Sequence, residues 1–390
     1  MSGVYLDHAA STPMRADAVA AMAPFLTQHY ANSTGAHGAA RLVKAALEEA
    51  REAVAEALGA AAGEVVFTGS GTEADNLAVE GAARAARAAG RGDGVVTCLL
   101  EHKAVLASVD RLATEGFAVR RVGATRAGIV DLDGLADALD ATTTVVSVML
   151  VNNEIGTIQP LGDVASLVRA RAPHAVLHTD AVQAVPWLDV ATAAADASLV
   201  SISAHKFGGP KGMGALVVRG GVALQPLIEG GGQERGLRAG TVDVAGAVAT
   251  ACALQRTTAT RDDEVVRVAR LRDRLLGGLR SDVDDVVETG DPAHKVGGSC
   301  HVAFRGVDAE LLVVALDRAG VYASAGSSCS SGATQTSQVL AAIGLDPDLA
   351  GGAIRFSLGH ASTDADVDRA LEVIPDVVAT LRRRTALAPR

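Results

Sequence analysis

The chain has 390 residues, 49% of them hydrophobic and 21% charged, and 35 Lys and Arg against 45 Asp and Glu give a formal net charge of −10. That balance argues against a nucleic-acid surface, which needs clustered cations, and the one basic run, Arg382-Arg383-Arg384, reads as a solvated helix end. No stretch of about 18 uninterrupted apolar residues and no signal-like start occur, so a cytoplasmic protein without a membrane span is expected. Four scattered cysteines (Cys98, Cys252, Cys300 and Cys329) lack any Cys-x-x-Cys pair, which disfavours a disulfide framework or a zinc knuckle.

In chain order, residues 41–58 place Leu42, Ala46, Ala50, Val54 and Leu58 at helical spacing, with Gly59 as a stop. Residues 64–67 read as a short buried strand, followed by the turn Thr68-Gly69-Ser70-Gly71-Thr72 and an alanine-rich helix to about Ala89. Apolar runs at 95–100, 145–151, 175–178, 198–202 and 214–218 alternate with helical segments at 133–139 and 161–172. This predicts an α/β fold with a mostly parallel sheet covered by helices, whose ligands collect at the carboxyl ends of the strands. Beyond residue 258 a charged helix over 261–279, strands at 300–304 and 353–357, and helices from Asp308 and Asp364 predict a smaller α+β unit. Residues 323–337 are small and polar without a period, so they read as a loop, and Cys329 lies in its middle.

The strand, glycine turn and helix at 64–89 aim backbone N–H groups and a helix N-terminus at one spot, which suits a phosphate. Gly69-x-Gly71-x-x-Ala74 also loosely resembles a dinucleotide fingerprint, with Glu101 as its acid, but about thirty residues to Glu101 is long against the usual ~20. Ser203-Ala204-His205-Lys206 follows a strand and precedes Gly208-Gly209-Pro210-Lys211-Gly212. A lysine in small surroundings can turn inward and form a Schiff base, although a surface lysine before a turn is the plain alternative. Asp180, at the end of the preceding strand, is either a helix N-cap or the buried carboxylate that a pyridoxal ring nitrogen requires. His174 and His178 are four apart but lack the Glu of a zinc motif, so no metal site is expected.

These residues sit in motifs that resemble the cysteine desulfurases of the aminotransferase class V group, fold-type I pyridoxal phosphate enzymes. The resemblance runs through Tyr5-Leu6-Asp7-His8-Ala9-Ala10, the segment from Phe67 to Ala78, Glu101-His102-Lys103-Ala104-Val105-Leu106 and Val151-Asn152-Asn153-Glu154-Ile155-Gly156. It continues in Asp180-Ala181-Val182-Gln183, Ser203 to Lys206, Gly230 to Arg235, Arg238-Ala239-Gly240-Thr241, Cys329, and Ile354 to Gly359.

The resemblance implies that Lys206 holds pyridoxal 5′-phosphate and moves the Cα proton, that Asp180 binds the ring nitrogen, and that Gln183 binds the ring hydroxyl. It further implies His102 on the ring face, Gly71, Thr72, Ser203 and His205 at the phosphate, and Thr241 as a phosphate ligand donated across a homodimer. Asn153 and Arg355 would grip the carboxylate of L-cysteine, and Cys329 would take the sulfur as a persulfide for an acceptor protein, such as an iron–sulfur scaffold or a thiolation carrier. Residues 15–258 would then be the cofactor-binding domain, with 1–14 and 259–390 forming the small domain that carries the cysteine loop. Read from the residues alone, His102 and His205 are equally ordinary polar groups at strand ends, and Arg355 in an apolar strand needs an anion that is either a structural acid or a substrate. The chain departs from the family pattern at Ser327-Ser328-Cys329-Ser330-Ser331, at Leu150-Val151 and at Asn32-Ser33. Selenocysteine lyase, an aminotransferase and a non-catalytic sulfur-carrier scaffold are the competing readings.

Overall fold

A computed structural model describes residues 3–326 and 337–387. Its larger sheet has seven strands in the order Val65–Thr68, Gly214–Val218, Leu199–Ser203, Val176–Asp180, Thr143–Ser147, Gly94–Cys98 and Ala118–Val122. Only Gly214–Val218 runs against its neighbours; the other pairings are parallel. Alternation along each strand divides the side chains between two layers. Val66, Val95, Val145, Leu199 and Leu216 meet Leu77 and Val105 on one face, while Val65, Val96, Val146, Val200 and Val217 meet Val43, Val54 and Leu254 on the other. This is the expected α/β architecture with a mostly parallel sheet.

Three elements differ from expectation for identifiable reasons. Ala118–Val122 is an edge strand whose Arg120 and Arg121 pair with Asp140 and Asp110, and this charge hides it from an apolar search. The helix over Gly38–Ala57 buries Val43, Leu47, Ala50 and Val54, whereas Leu42 is exposed, so the apolar stripe lies one residue on from the 42/46 register. The charged helix begins well before residue 261 and spans Val244–Asp282, because the Ala- and Thr-rich stretch before it contains no proline and its one glycine, Gly246, lies in the first turn under the Asp243 cap. Val244, Ala247 and Leu254 join the larger core, and Val268, Leu271 and Leu275 join the smaller one.

That smaller core lies on a four-stranded antiparallel sheet ordered Ser324–Ala325, Ala353–Ser357, Ser299–Phe304 and Val286–Glu288. The N-terminal strand Val4–Tyr5 pairs with Val321–Tyr322, so Val4 and Leu6 pack in this core and residues 7–12 run from it toward the carboxyl ends of the larger sheet. Among the described residues no helix is long and apolar enough to cross a membrane.

Candidate active site

A cavity of about 370 Å³ opens at the carboxyl ends of the central strands. Ten of the expected residues line it: Gly71, Thr72, His102, Asn153, Asp180, Gln183, Ser203, His205, Lys206 and Arg355. Thr241 is exposed and lies outside that lining. Cys329 lies outside the described residues.

One end of the cavity is built for an anion. Ser70 caps the helix that starts at Gly71 by accepting from Glu73 N at 3.1 Å, which leaves the neighbouring N–H groups facing the cavity. A Cβ on Gly71 would come within 2.9 Å of both Ser203 Cβ and Val182 Cγ2, so only glycine lets the helix end approach the strand ends this closely. His205 sits at the same end. Burial, then Lys206 and Lys211, lower its pKa to about 4, so it is neutral at neutral pH, and its Nδ1 lies 3.2 Å from Ser11 Oγ.

At the other end Asp180 closes its strand with 5% exposure, and its Oδ1 accepts from Val182 N at 2.8 Å. Burial raises its pKa, while nearby His102 and Lys206 favour its ionised form, so this carboxylate awaits a cation. Lys206 belongs to the single turn Ala204–Lys206, and its Nζ donates to the carbonyls of Ala9 at 2.6 Å and Ala10 at 2.9 Å. The N-terminal strand therefore turns the lysine inward. Gln183 Nε2 donates to the same Ala9 carbonyl at 2.8 Å. His102 caps the helix Lys103–Thr114, its Nδ1 accepting from Ala104 N at 3.2 Å.

The third wall comes from the smaller unit. Arg355 is 3% exposed, and it donates to Asp7 Oδ1 and to the Asn153 carbonyl, each at 2.8 Å. Asp7 is thus the structural acid that a buried arginine needs, and because Arg355 also lines the cavity it remains available to a second anion. Behind it Glu154 accepts from Ser337 Oγ, and burial raises its pKa to about 7.

Sequence reasoning passed over Asp7 and Asp75, although both lie inside the motifs it quoted. Asp75 lines the cavity at 1% exposure, and an acid inside an apolar, alanine-rich helix was the available signal. Glu101 is 3% exposed and within 3.3 Å of Ser147 Oγ, so it is not placed to bind a ribose, and the dinucleotide reading loses its acid. The donor set suits a cofactor with a phosphate for the helix end, a basic ring nitrogen for Asp180 and an aldehyde for Lys206.

The aminotransferase class-V family matches residues 4–370. An IscS-like cysteine desulfurase of Mycobacterium tuberculosis is 43% identical over 98% of each chain. A cysteine desulfurase of Cereibacter sphaeroides is 43% identical over 100% of this chain and 98% of its own. Among solved structures, a NifS-like protein superposes with a TM-score of 0.91 at 34% identity, covering 97% of this chain and 100% of that one. SspA in complex with cysteine reaches a TM-score of 0.81 at 30% identity, covering 92% and 100%. The chain belongs to the aminotransferase class-V family, among its cysteine desulfurases.

Proposed function

We propose that this chain converts L-cysteine to L-alanine on pyridoxal 5′-phosphate and retains the sulfur on Cys329 as a persulfide. The observation that carries the reading is the convergence, on one cavity, of an inward lysine, a buried carboxylate, a glycine-opened helix N-terminus and a buried arginine. When bound, the cofactor supplies an electron sink for a carbanion at the substrate Cα.

The chain's own groups do the rest. The Gly71 helix end, with Thr72, Ser203 and His205, holds the phosphate, and Asp180 keeps the ring nitrogen protonated. Arg355 and Asn153 orient the substrate carboxylate, which places its Cα hydrogen near Lys206 Nζ. Lys206 would hold the cofactor, and its amine, placed beside the substrate, would take that proton. His102, which lines the same cavity, would pack against the ring and relay protons. The Cys329 thiolate forms an S–S bond as the substrate Cβ–S bond breaks, the carbon keeps the electron pair and gains a proton, and alanine leaves.

The same reading makes the chain a homodimer in which Thr241 reaches the partner's phosphate. Support comes from Thr241 lying away from its own cavity and from the exposed apolar side chains Leu26, Tyr30 and Leu42 on the N-terminal helices and the segment between them. Residues 15–258 act as the cofactor-binding domain, and 1–14 with 259–390 as the domain that brings Arg355 and Cys329. An iron–sulfur scaffold or a thiolation carrier then takes the sulfur. The free thiols of Cys98, Cys252 and Cys300 suit a reducing, cytoplasmic setting.

The test is an assay of the purified chain with pyridoxal phosphate, L-cysteine and a reducing dithiol that frees the persulfide sulfur, measuring alanine and released sulfide together. Equal yields that vanish with Lys206→Ala support the reading. Transamination of ordinary amino acids at the same rate overturns it, and sedimentation as a monomer at assay concentration overturns the dimer.

A further inference from the structure

His178 stands two residues before Asp180 on one strand and is fully buried. Residues two apart on a strand share a face, and the register places Ser147 beside His178 and Ser201 beside Asp180. This row lies against the helix that begins at Gly71, and an acid closes it at each end. His178 Nδ1 lies 2.9 Å from Ser147 Oγ, which is 3.3 Å from Glu101 Oε1. On the other side His178 Nε2 lies 3.0 Å from Ser201 Oγ and 3.6 Å from Asp75 Oδ1, and Ser201 lowers the pKa of that Asp75 carboxyl as a hydrogen-bond donor. Glu101 Oε2 and Asp75 Oδ1 are both buried without a hydrogen-bond partner. A half-satisfied polar chain through a core is less stable than apolar packing of the same shape, so structural need alone does not account for it.

We infer that Glu101, Ser147, His178, Ser201 and Asp75 form a proton wire that moves one proton between the two carboxyl groups flanking Asp180. This inference rests on the reading of Asp180 as the partner of the ring nitrogen. With the proton on Glu101, that O–H donates to Ser147, Ser147 donates to Nδ1, Nε2–H donates to Ser201, and Ser201 donates to ionised Asp75. Shifting each proton one place leaves Glu101 ionised, His178 protonated on Nδ1 and Asp75 protonated. One proton has left one end and one has arrived at the other, with no charge left on the imidazole.

The surroundings fit such a wire. Burial lowers the His178 pKa to about 3, so the ring stays neutral. Burial and then Asp180 raise Glu101 to about 8, and burial, Asp180 and Glu101 raise Asp75. His102 and Lys206 are the groups facing Asp180 that favour its ionised form. Both ends lie beside Asp180, so the wire keeps one of the two carboxyls neutral and lets a single negative charge sit at either end.

The test uses the full chain with ¹⁵N-labelled histidine, before and after loading with pyridoxal phosphate, titrated through the Glu101 midpoint of about 8. Infrared spectra follow the protonated carboxyl band, assigned by its loss in Glu101→Gln, while nitrogen shifts report the His178 tautomer. The expected result is a reversal from Nε2–H to Nδ1–H as the Glu101 band gives way to that of Asp75, assigned by its loss in Asp75→Asn, with His178 neutral throughout. In Ser147→Ala the band still titrates but the tautomer no longer follows. A single tautomer across the titration of the wild-type chain, or an imidazolium in that range, overturns the wire. Loading should lower the midpoint, since a ring cation offsets the Asp180 charge. A switch that persists but ignores loading leaves the wire standing and removes Asp180 from the ring nitrogen.

Discussion

Arg355 donates to Asp7 at 2.8 Å across 348 residues of sequence, so the cavity-lining guanidinium is held by the segment that also supplies the carbonyls for Lys206. The first dozen residues thereby couple the two cationic side chains of the cavity. The pair is buried on the arginine side, at 3% side-chain exposure against 18% for Asp7. Asp7→Ala should cost about 3 kcal/mol in urea unfolding, because it strands a buried charge. Arg355→Lys keeps the charge but loses the planar fork, so KM for L-cysteine should rise by ~10-fold or more while kcat falls less. A kcat loss at unchanged KM would place the arginine in the chemistry and not in binding.

Glu154 gives a stability signature with a definite sign. Its folded pKa of about 7 lies above the ordinary 4.5 because it is buried, so between those values the unfolded chain releases its proton first. Its contribution is therefore lost as pH rises from 4.5 to about 7, by on the order of 3 kcal/mol. Glu154→Gln should match the parent in acid and exceed it in stability above neutrality, as measured by denaturant midpoints of the cofactor-free protein across pH. A parallel pH dependence in the two proteins would show that Glu154 does not titrate in that window.

Gly71→Ala isolates the phosphate end. The added methyl would press on Ser203 and Val182 at 2.9 Å, pushing the helix start from the strand ends without touching Lys206 or Asp180. Cofactor affinity should fall by roughly 10–100-fold, equivalent to one or two good hydrogen bonds, with the far-ultraviolet spectrum unchanged. Absorbance titration of the cofactor-free chain measures it, and unaltered affinity would move the phosphate elsewhere.

Much of this site is legible in the sequence because it is built at strand ends. Asp180, Ser203 and the Lys206 turn follow short apolar runs, which puts them at strand ends, while the choice between a surface lysine or helix cap and a cofactor site comes from the family motifs around them. The dependence of Lys206 on Ala9 and Ala10, and of Arg355 on Asp7, is invisible locally, since the partners lie nearly 200 and 350 residues away and no period links them. The buried row through His178 escapes for another reason. Ser147 and Ser201 each interrupt an apolar run and His178 ends one, and only the register shows that the three line up.

The last expectation concerns the sulfur. A nucleophilic thiol must ionise and reach the substrate, and burial pushes the thiols of Cys98 and Cys300 up to about 12, where the reactive thiolate is scarce. Cys252 is partly exposed, but burial also raises its pKa, and it sits on the long helix outside the cavity lining. Cys329 is therefore the thiol expected to carry the transfer. Cys329→Ser should keep cofactor binding and bind L-cysteine with the same change in visible absorption, yet release alanine at less than roughly a hundredth of the parent rate, because a hydroxyl is a far poorer nucleophile toward sulfur. Mass spectrometry after L-cysteine treatment should find one extra sulfur on the Cys329 peptide, and Cys98→Ser and Cys300→Ser should leave that label in place. Alanine release at the parent rate from the serine variant, or a label on Cys252, would move the acceptor thiol away from residue 329 while leaving the roles of Lys206 and Asp180 standing.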